Sequence, residues 1–403
     1  MDDGRRVREA GATLMRILIA NDSRIDGGGV GTYLSSLMEL LDAHGHSVAL
    51  LHDGADDPAS ANRLSAMDAW SVENSGLEKA LSSVSAWRPD VCYSHNMRRL
   101  EIDERLTAQW PTVKMMHGYF GTCVSGQKSF SFPDVRACTR HCGPACLVPY
   151  LPRRCGYRNP VVMMSQYSWA SRQRALFSRY VAIAVASEHM RREYLAHGTH
   201  PDRTHTIPLF ASVAQPSTQV GPPIDVVFLG RLTTLKGGDE LIRATRLASD
   251  RIGRPVTVTV AGEGPGRAAL ERLSASLGVQ ASFAGWVDDG GKADLLSRAA
   301  LLAIPSLWPE PFGLVGLEAA AFGVPAIGFD VGGISAWLTD GANGRLVPRT
   351  AGIAGFADAM ASIVGDTALR ATFSRGARTV ATRFTPDAHL AALERIFEAV
   401  RRV

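Results

Sequence analysis

Short apolar runs recur along the chain, and stretches with the apolar spacing of a helix separate them. The first runs are RILIAN at 16–21 and SVALLHD at 47–53, with a helical stretch from about Thr32 to His44 between them. Later runs in this half are RPDVCYSHN, PTVKMMHGYF, YVAIAVAS and THTIPLF. Strands that alternate with helices are typical of parallel pairing, so the pattern predicts a doubly wound α/β sheet.

The same alternation starts again after the segment ASVAQPSTQVGPP, which is polar, contains proline and has no periodicity. This segment is therefore the predicted linker. A chain of 403 residues exceeds what one core usually serves. We predict two tandem Rossmann-like domains that face each other across a cleft, with a C-terminal helix that crosses back to the first domain. The predicted bounds are an N-terminal extension at 1–14, a first domain at 15–210, a linker at 211–223, a second domain at 224–385 and a C-terminal helix at 386–403.

Composition changes this picture little. The net charge of +4 is mildly basic, which suits anionic phosphates but is too small to indicate nucleic acid binding. No stretch approaches the roughly 20 apolar residues of a membrane span, and the N-terminus is charged where a signal peptide needs apolar residues. The expected location is cytoplasmic, with at most peripheral membrane association.

The most informative motif is WPEPFGLVGLEAAAFGVP at 308–325, where seven residues separate Glu310 from Glu318. Glu310 stands in a loop between two prolines, and Glu318 lies within a predicted helix. Because free N–H groups at a helix start favour phosphate, we expect an anion near Gly313, Leu314 and Val315. A nucleoside diphosphate sugar would satisfy both carboxylates. Alternatively, Glu310 is a solvated loop residue and Glu318 a helix surface charge.

Two cations follow another predicted strand in the segment FLGRLTTLKGGDELI. Arg231 ends the strand and Lys236 comes five residues later, before a new helix. Such a pair suits a diphosphate and can neutralise the charge that builds on a leaving group.

Taken together, these motifs resemble the retaining glycosyltransferases of the GT-B type, specifically glycosyltransferase family 4, over nearly the whole chain from Met15. The resemblance rests on GRLTTLKG at 230–237, VAGEGP at 260–265, FAGWV at 283–287, EPFGLVGLEA at 310–319 and GVPAIGFDVGG at 323–333. It implies transfer of a hexose-type sugar from a nucleoside diphosphate sugar, with a uridine diphosphate sugar favoured. The acceptor would be a hydroxyl of a glycan, a lipid-linked sugar or a small molecule.

The resemblance also implies roles for individual residues. Glu310, Arg231, Lys236 and His117 match the catalytic positions, although a lone histidine at a strand end is more often structural. Ser187 and Glu188 match a segment that opens a helix, where Ser187 is either an N-cap or a ligand contact. The positions that match donor-binding residues are Glu318, Gly313, Leu314, Val315, Gly28, Gly29, Gly262, Gly264, Trp286 and Val287.

The resemblance implies front-face substitution with retention. The cations and the helix start stabilise the departing diphosphate, which takes the proton of the acceptor, and no catalytic divalent metal is required. No DxD-type site at a strand end argues otherwise. A phosphorylase or a dinucleotide oxidoreductase fits less well, since their motifs are missing.

Five of the six cysteines lie between Cys123 and Cys155, in a predicted insertion at 120–160. The C-x3-C-x3-C spacing falls within that of structural zinc sites, with a tentative ligand set of Cys138, Cys142, Cys146 and Cys155. An iron–sulfur cluster and free buried thiols are the alternatives. A second class of function is therefore a metal-binding or regulatory protein on a transferase scaffold that works through this loop.

Overall fold

The computed structural model describes residues 14–23, 29–54, 67–212 and 221–401. The predicted N-terminal extension, except Leu14, and the central part of the predicted linker lie outside these residues. Residues 16–206 supply a seven-stranded sheet and a two-stranded hairpin. Their strands are β1 (Arg16–Asn21), β2 (Ser47–His52), β3 (Asp68–Ser71), β4 (Val91–Ser94), β5 (Thr112–Met116), β6 (Ser129–Phe130), β7 (Arg136–Ala137), β8 (Ala182–Val185) and β9 (Thr204–Thr206).

Seven helices accompany these strands. They are α1 (Gly29–Ala43), α2 (Val72–Ser75), α3 (Leu77–Trp87), α4 (Leu100–Gln109), α5 (Leu147–Tyr150), α6 (Pro160–Ala175) and α7 (Glu188–Ala196). The strand order in the sheet is β3-β2-β1-β4-β5-β8-β9, and β1 pairs in parallel with both β2 and β4. The order reverses between β1 and β4, which is the switch point of a doubly wound sheet.

The second sheet has six strands, all joined by parallel pairing. Its strands are β10 (Val226–Leu229), β11 (Thr257–Ala261), β12 (Gln280–Gly285), β13 (Leu302–Ile304), β14 (Ala326–Phe329) and β15 (Gly344–Val347). Its order, β12-β11-β10-β13-β14-β15, reverses between β10 and β13. The loops after β10 and β13 are therefore neighbours at the end of the sheet where such folds bind ligands.

The remaining helices follow this sheet or lie between its strands. They are α8 (Gly238–Ile252), α9 (Arg267–Ser276), α10 (Asp289–Arg298), α11 (Val315–Ala321), α12 (Gly352–Gly365), α13 (Thr367–Arg383) and α14 (Pro386–Arg401). Among all residues that the structure describes, no helix is long and apolar enough to cross a membrane.

Contacts divide the described residues into two compact units. The first comprises the residues up to Met115, Arg179–Ile183 and the residues from Leu390 onward. The second comprises Met116–Ser178 and Ala184–His389. The first unit is thus discontinuous in sequence, since its last element comes from the C-terminal end of the chain.

The C-terminal helix completes the first unit, as predicted. Leu390, Leu393, Ile396 and Phe397 are all buried, and the Phe397 ring meets Tyr93 of β4 edge to face at 5.3 Å. In the same unit, Nε2 of His46 lies 2.9 Å from Oε1 of Glu394 and Arg401 pairs with Asp90 at 3.2 Å. Helix α14 therefore packs as part of the N-terminal core.

A buried polar network lies in the core of the first unit. The Asp103 carboxylate on α4 accepts hydrogen bonds from Lys114 Nζ at 2.6 Å, Ser94 Oγ at 2.5 Å and the Tyr180 hydroxyl at 2.8 Å. Burial lowers the pKa of Lys114, although the Asp103 charge opposes this shift. The network joins β4, β5 and α4, and nothing in the apolar pattern of the sequence predicts it.

Candidate functional site

Three donors hold the Glu310 carboxylate in the loop after β13. Lys236 Nζ lies 2.6 Å from Glu310 Oε1, and the same oxygen accepts from Ser306 Oγ at 2.5 Å and Trp308 Nε1 at 2.9 Å. Only 4% of Glu310 is exposed. The structure thus brings together Glu310 and Lys236, which the sequence places 74 residues apart. An oxygen with three donors is a binding and positioning group rather than a free base.

The Glu310 loop packs closely on the chain that follows β14. The Gly333 amide donates to the Glu310 carbonyl at 2.6 Å. Gly332 has a φ of +62°, and a Cβ there would lie 2.2 Å from the same carbonyl oxygen. Only glycine fits at this position. The segment at 323–333 therefore packs directly against the loop that carries Glu310.

Glu318, on α11, is paired with a lysine that the sequence analysis missed. Lys292 Nζ lies 2.7 Å from Glu318 Oε1 and 2.9 Å from Asp289. Burial lowers the pKa of Lys292, but the two carboxylates outweigh it, so its pKa lies above the ordinary value. Since only 5% of Glu318 is exposed, the reading of Glu318 as a helix surface charge is wrong.

The two predicted cations occupy the turn after β10. Lys236 ends a 3-10 turn at Thr234–Lys236, and its ammonium lies 5.7 Å from the centre of the Trp308 ring. Arg231 is exposed at the start of the turn, and among the described residues no carboxylate pairs with its guanidinium. This turn therefore carries two positive charges, and that of Lys236 is also hydrogen-bonded to Glu310.

Gly262 and Gly264 allow two turns to approach each other. A Cβ at Gly262 would lie 1.9 Å from the Gly230 carbonyl oxygen, and one at Gly264 would lie 2.5 Å from that of Leu232. These glycines bring the turn after β11 against the turn that carries Arg231. Their predicted donor contacts stay a prediction.

The other predicted donor residues are more scattered. Gly313, with a φ of +83°, precedes α11, which begins at Val315 after Leu314. Trp286 and Val287 follow the edge strand β12, and Trp286 is 67% exposed. Gly29 opens α1 in an exposed position, whereas Gly28 lies outside the described residues.

His117 and Ser187 both follow strands of the first sheet. His117 is half-buried directly after β5. Ser187 is the N-cap of α7, where its Oγ accepts from the Met190 amide at 3.3 Å, so the N-cap interpretation is confirmed. The same hydroxyl donates to the Pro311 carbonyl at 2.7 Å, within the second unit. Ser187 therefore also supports the Glu310 loop.

All six cysteines are free thiols. A hydrogen bond from the Cys142 thiol lowers the pKa of Cys146 to about 5 and raises that of Cys142, while burial raises the pKa of Cys155 to about 12. In the described ranges, no group of three or more histidine, cysteine or acidic side chains is arranged to hold a metal ion. The described residues thus do not gather the predicted ligand set, and the zinc site stays a prediction.

A family model matches the part of the chain that contains this candidate site. Residues 214–380 match the family model described as Glycosyl transferases group 1. This range contains Arg231, Lys236, Lys292 and both glutamates.

Two curated relatives that share one name match part of the chain. The chain is 38% identical over 187 residues to the D-inositol 3-phosphate glycosyltransferase of Salinispora arenicola, covering 43% of this chain and 41% of that protein. It is 34% identical over 205 residues to the protein of that name from Nocardia farcinica, covering 46% of this chain and 45% of the relative. The chain therefore matches less than half the length of these curated relatives.

Solved structures match almost the whole chain at low identity. The structure of Anabaena Alr3699/HepE in complex with UDP and glucose has a TM-score of 0.69 at 18% identity, covering 96% of this chain and 100% of that chain. Sucrose-phosphate synthase (tll1590) from Thermosynechococcus elongatus has a TM-score of 0.68 at 18% identity, covering 96% of this chain and 99% of that chain. These likenesses confirm the predicted fold class, an α/β fold with two Rossmann-like sheets.

Proposed function

We propose that this protein is a retaining glycosyltransferase of the family 4 type. It moves a hexose-type sugar from a nucleoside diphosphate sugar to a hydroxyl acceptor. The observation that carries the proposal is the pair of buried glutamates, each held by a lysine, at the switch point of the second sheet. These residues lie within the range that matches the group 1 family model.

The two glutamates have different tasks in this proposal. Glu318 accepts hydrogen bonds from the ribose hydroxyls of the donor, and Glu310 accepts from the sugar. Their lysines hold both carboxylates in fixed positions, so little ordering is needed when the donor binds. A uridine diphosphate sugar is the favoured donor, a choice supported by the UDP named in the Anabaena structure.

The chemical step is a front-face substitution. The bond from the anomeric carbon to the diphosphate oxygen breaks, and a bond to the acceptor oxygen forms on the same face of the sugar. The departing phosphate oxygen takes the acceptor proton, and His117 stands beside the anomeric carbon. Arg231 and Lys236 neutralise the charge on the diphosphate, which removes the need for a divalent metal. Helix α11 has only seven residues, so these side chains supply most of the stabilisation.

The acceptor is a hydroxyl of a glycan, a lipid-linked sugar or a small molecule. The name of the curated relatives adds phosphorylated inositol to the acceptors worth testing. The alternative, a metal-binding or regulatory protein, is not favoured because the family match covers the predicted donor half.

A donor panel tests the proposal. UDP-, GDP-, ADP- and dTDP-sugars are added separately, and the shift in melting temperature and the slow release of nucleoside diphosphate are followed, with and without EDTA. We expect a shift with one base, unchanged by EDTA. No shift with any sugar nucleotide would refute the proposal. The anomeric configuration of the product, read by NMR, tests retention.

Substitutions at the predicted site residues test whether the sugar nucleotide binds at this site. Glu318→Gln is expected to weaken binding of the active sugar nucleotide about tenfold, the worth of a charge-assisted hydrogen bond. Arg231→Ala is expected to lower kcat about a hundredfold. The control is Glu271→Gln, because Glu271 is a half-exposed glutamate of the same unit that pairs with Arg267. Equal behaviour of the Glu318 and Glu271 variants would reject the ribose assignment.

A further inference from the structure

Tyr119 carries a buried hydroxyl with no partner. It lies three residues beyond the end of β5 and is fully buried. Among the residues that the structure describes, its hydroxyl makes no hydrogen bond. Buried polar groups are nearly always paired, and leaving one unpaired costs free energy. A bound ligand that accepts a hydrogen bond from this hydroxyl would explain why the protein leaves it unpaired.

The surroundings of this hydroxyl point to the proposed sugar site. The Tyr119 ring lies edge to face with Trp308 at 6.4 Å and with His189 at 6.2 Å. Trp308 in turn donates to Glu310. Burial raises the pKa of Tyr119, and the charges of Glu193 and Glu310 raise it further. The phenol is therefore a neutral donor close to the carboxylate assigned to the sugar.

A neighbouring tyrosine shows the contrast with a structural role. The buried Tyr194 hydroxyl lies 2.7 Å from the Gly118 carbonyl oxygen and 3.1 Å from that of Phe120. Tyr194 thus fixes the backbone on both sides of Tyr119. The segment is held in place without any contribution from the Tyr119 hydroxyl, which is buried and has no hydrogen-bond partner among the described residues.

We propose that the Tyr119 hydroxyl donates a hydrogen bond to a hydroxyl of the transferred sugar, beside Glu310 and Trp308. This inference rests on the proposed glycosyltransferase function. It adds Tyr119 to the proposed site, from the segment after β5 that also supplies His117. It also makes Tyr119 a determinant of which sugar is accepted, since a site that hydrogen-bonds a hydroxyl discriminates against sugars that lack it.

The test compares Tyr119→Phe with the wild type. UDP-glucose is the first probe, followed by its 3-, 4- and 6-deoxy analogues, with release of UDP as the measured rate. We expect Tyr119→Phe to lower kcat/KM for UDP-glucose about tenfold. One deoxy donor should lower the wild-type kcat/KM by a similar factor and leave the variant unaffected. The Kd for UDP alone should stay within twofold, because UDP lacks the sugar.

A stability measurement separates this role from a structural one. Tyr119→Phe removes no hydrogen bond of the free protein, so its melting temperature should match or exceed that of the wild type. The control, Tyr194→Phe, removes a hydrogen bond of the fold and should melt about 3 °C lower. A lower melting temperature for Tyr119→Phe would overturn the inference.

The kinetic outcomes also separate the two proposals. If the wild type turns over UDP-glucose and Tyr119→Phe does so equally well, the inference fails and the proposed function stands. A tenfold loss that is the same for every deoxy donor would also overturn it. If UDP and all sugar nucleotides of the donor panel fail to bind, the proposed function fails and the inference fails with it.

Discussion

Each glutamate of the motif at 308–325 is paired with a lysine from a distant segment. Glu310 meets Lys236 and Glu318 meets Lys292, both at less than 3 Å. Lys236 was predicted as a cation for the diphosphate because it shares a strand-end turn with Arg231, but its pairing with Glu310 was not predicted. The second could not be predicted, since Lys292 stands in a helix with no motif of its own and meets Glu318 only through the fold.

The pairing predicts a double effect for Lys292→Met. This change leaves the buried Glu318 charge without its counterion, which should lower the free energy of unfolding by about 2 kcal/mol. It should also weaken binding of the active sugar nucleotide about tenfold, because Glu318 loses its fixed position. Urea denaturation and calorimetric titration measure the two effects. The exposed Lys79→Met is the control, and equal stability of both variants would contradict the prediction.

His389 predicts a loss of stability in acid. Burial lowers the pKa of His389 to about 4, and its Nδ1 lies 2.7 Å from the Pro208 carbonyl oxygen. The unfolded chain takes up this proton near pH 6.5 and the folded chain only near pH 4, so stability falls as the pH drops between these values. At pH 5 the loss is about 2 kcal/mol.

The test is urea unfolding at pH 7 and pH 5. His389→Gln cannot bind the proton, so its stability should fall by about 2 kcal/mol less than that of the wild type over this range. His44→Gln, at an exposed position, should follow the wild type. An unchanged pH dependence in His389→Gln would show that another group is responsible.

The strands with a continuous apolar run were predicted correctly, and several short strands without one were missed. RILIAN and SVALLHD coincide with β1 and β2 to within one residue. The strands β3 and β15, DAWS and GRLV, were missed because each has only four residues, of which two are apolar. The two-residue strands β6 and β7 are too short for any periodicity. Tertiary pairing, rather than local pattern, defines these elements.

The cysteine-rich segment at 120–160 also shows that a sequence pattern alone does not determine tertiary contacts. Spacing placed four of its cysteines in a tentative metal site, but spacing alone does not determine how side chains meet. In the structure the Cys146 thiol lies 3.4 Å from the His141 carbonyl oxygen, and the neighbouring Cys142 lowers the pKa of Cys146 to about 5. Chemical modification of the cysteines tests whether Cys138 and Cys155 bind a metal together with this pair.

Alkylation with iodoacetamide addresses this question. In the metal-free protein, Cys146 should react first at pH 6.5, because a thiol with a pKa of about 5 is mostly thiolate there. Cys142→Ala removes the hydrogen bond and should slow the reaction at Cys146 at least tenfold. Peptide mapping by mass spectrometry measures the extent of alkylation at Cys146 in both proteins. The predicted metal site would instead be supported by two results together. The purified protein would contain about one equivalent of zinc, and Cys146 would react only after a chelator is added.

At the scale of the whole molecule, the predicted return of the C-terminal helix matters most. Phe397 of α14 is fully buried and packs on Tyr93 in the first unit. Phe397→Ala should therefore destabilise the first unit by about 3–5 kcal/mol. Arg395→Ala, at an exposed position of the same helix, should change stability by less than about 0.5 kcal/mol.

Hydrogen exchange gives the measurement. The Phe397→Ala variant should lose protection in β1, β2 and β4, while β10 and β13 of the second unit keep theirs. Uniform loss of protection across both sheets would show that the two units unfold together, contrary to this prediction.

The split first unit also has a consequence for synthesis on the ribosome. Met115 and Leu390 belong to the same unit, yet more than 270 residues separate them. At 5–20 residues per second, the ribosome needs between roughly 15 and 60 s to reach the final helix after finishing the fifth strand. During this interval the side chains that α14 covers, Tyr93 among them, are exposed. The nascent N-terminal half is therefore a client for chaperones until translation is almost complete.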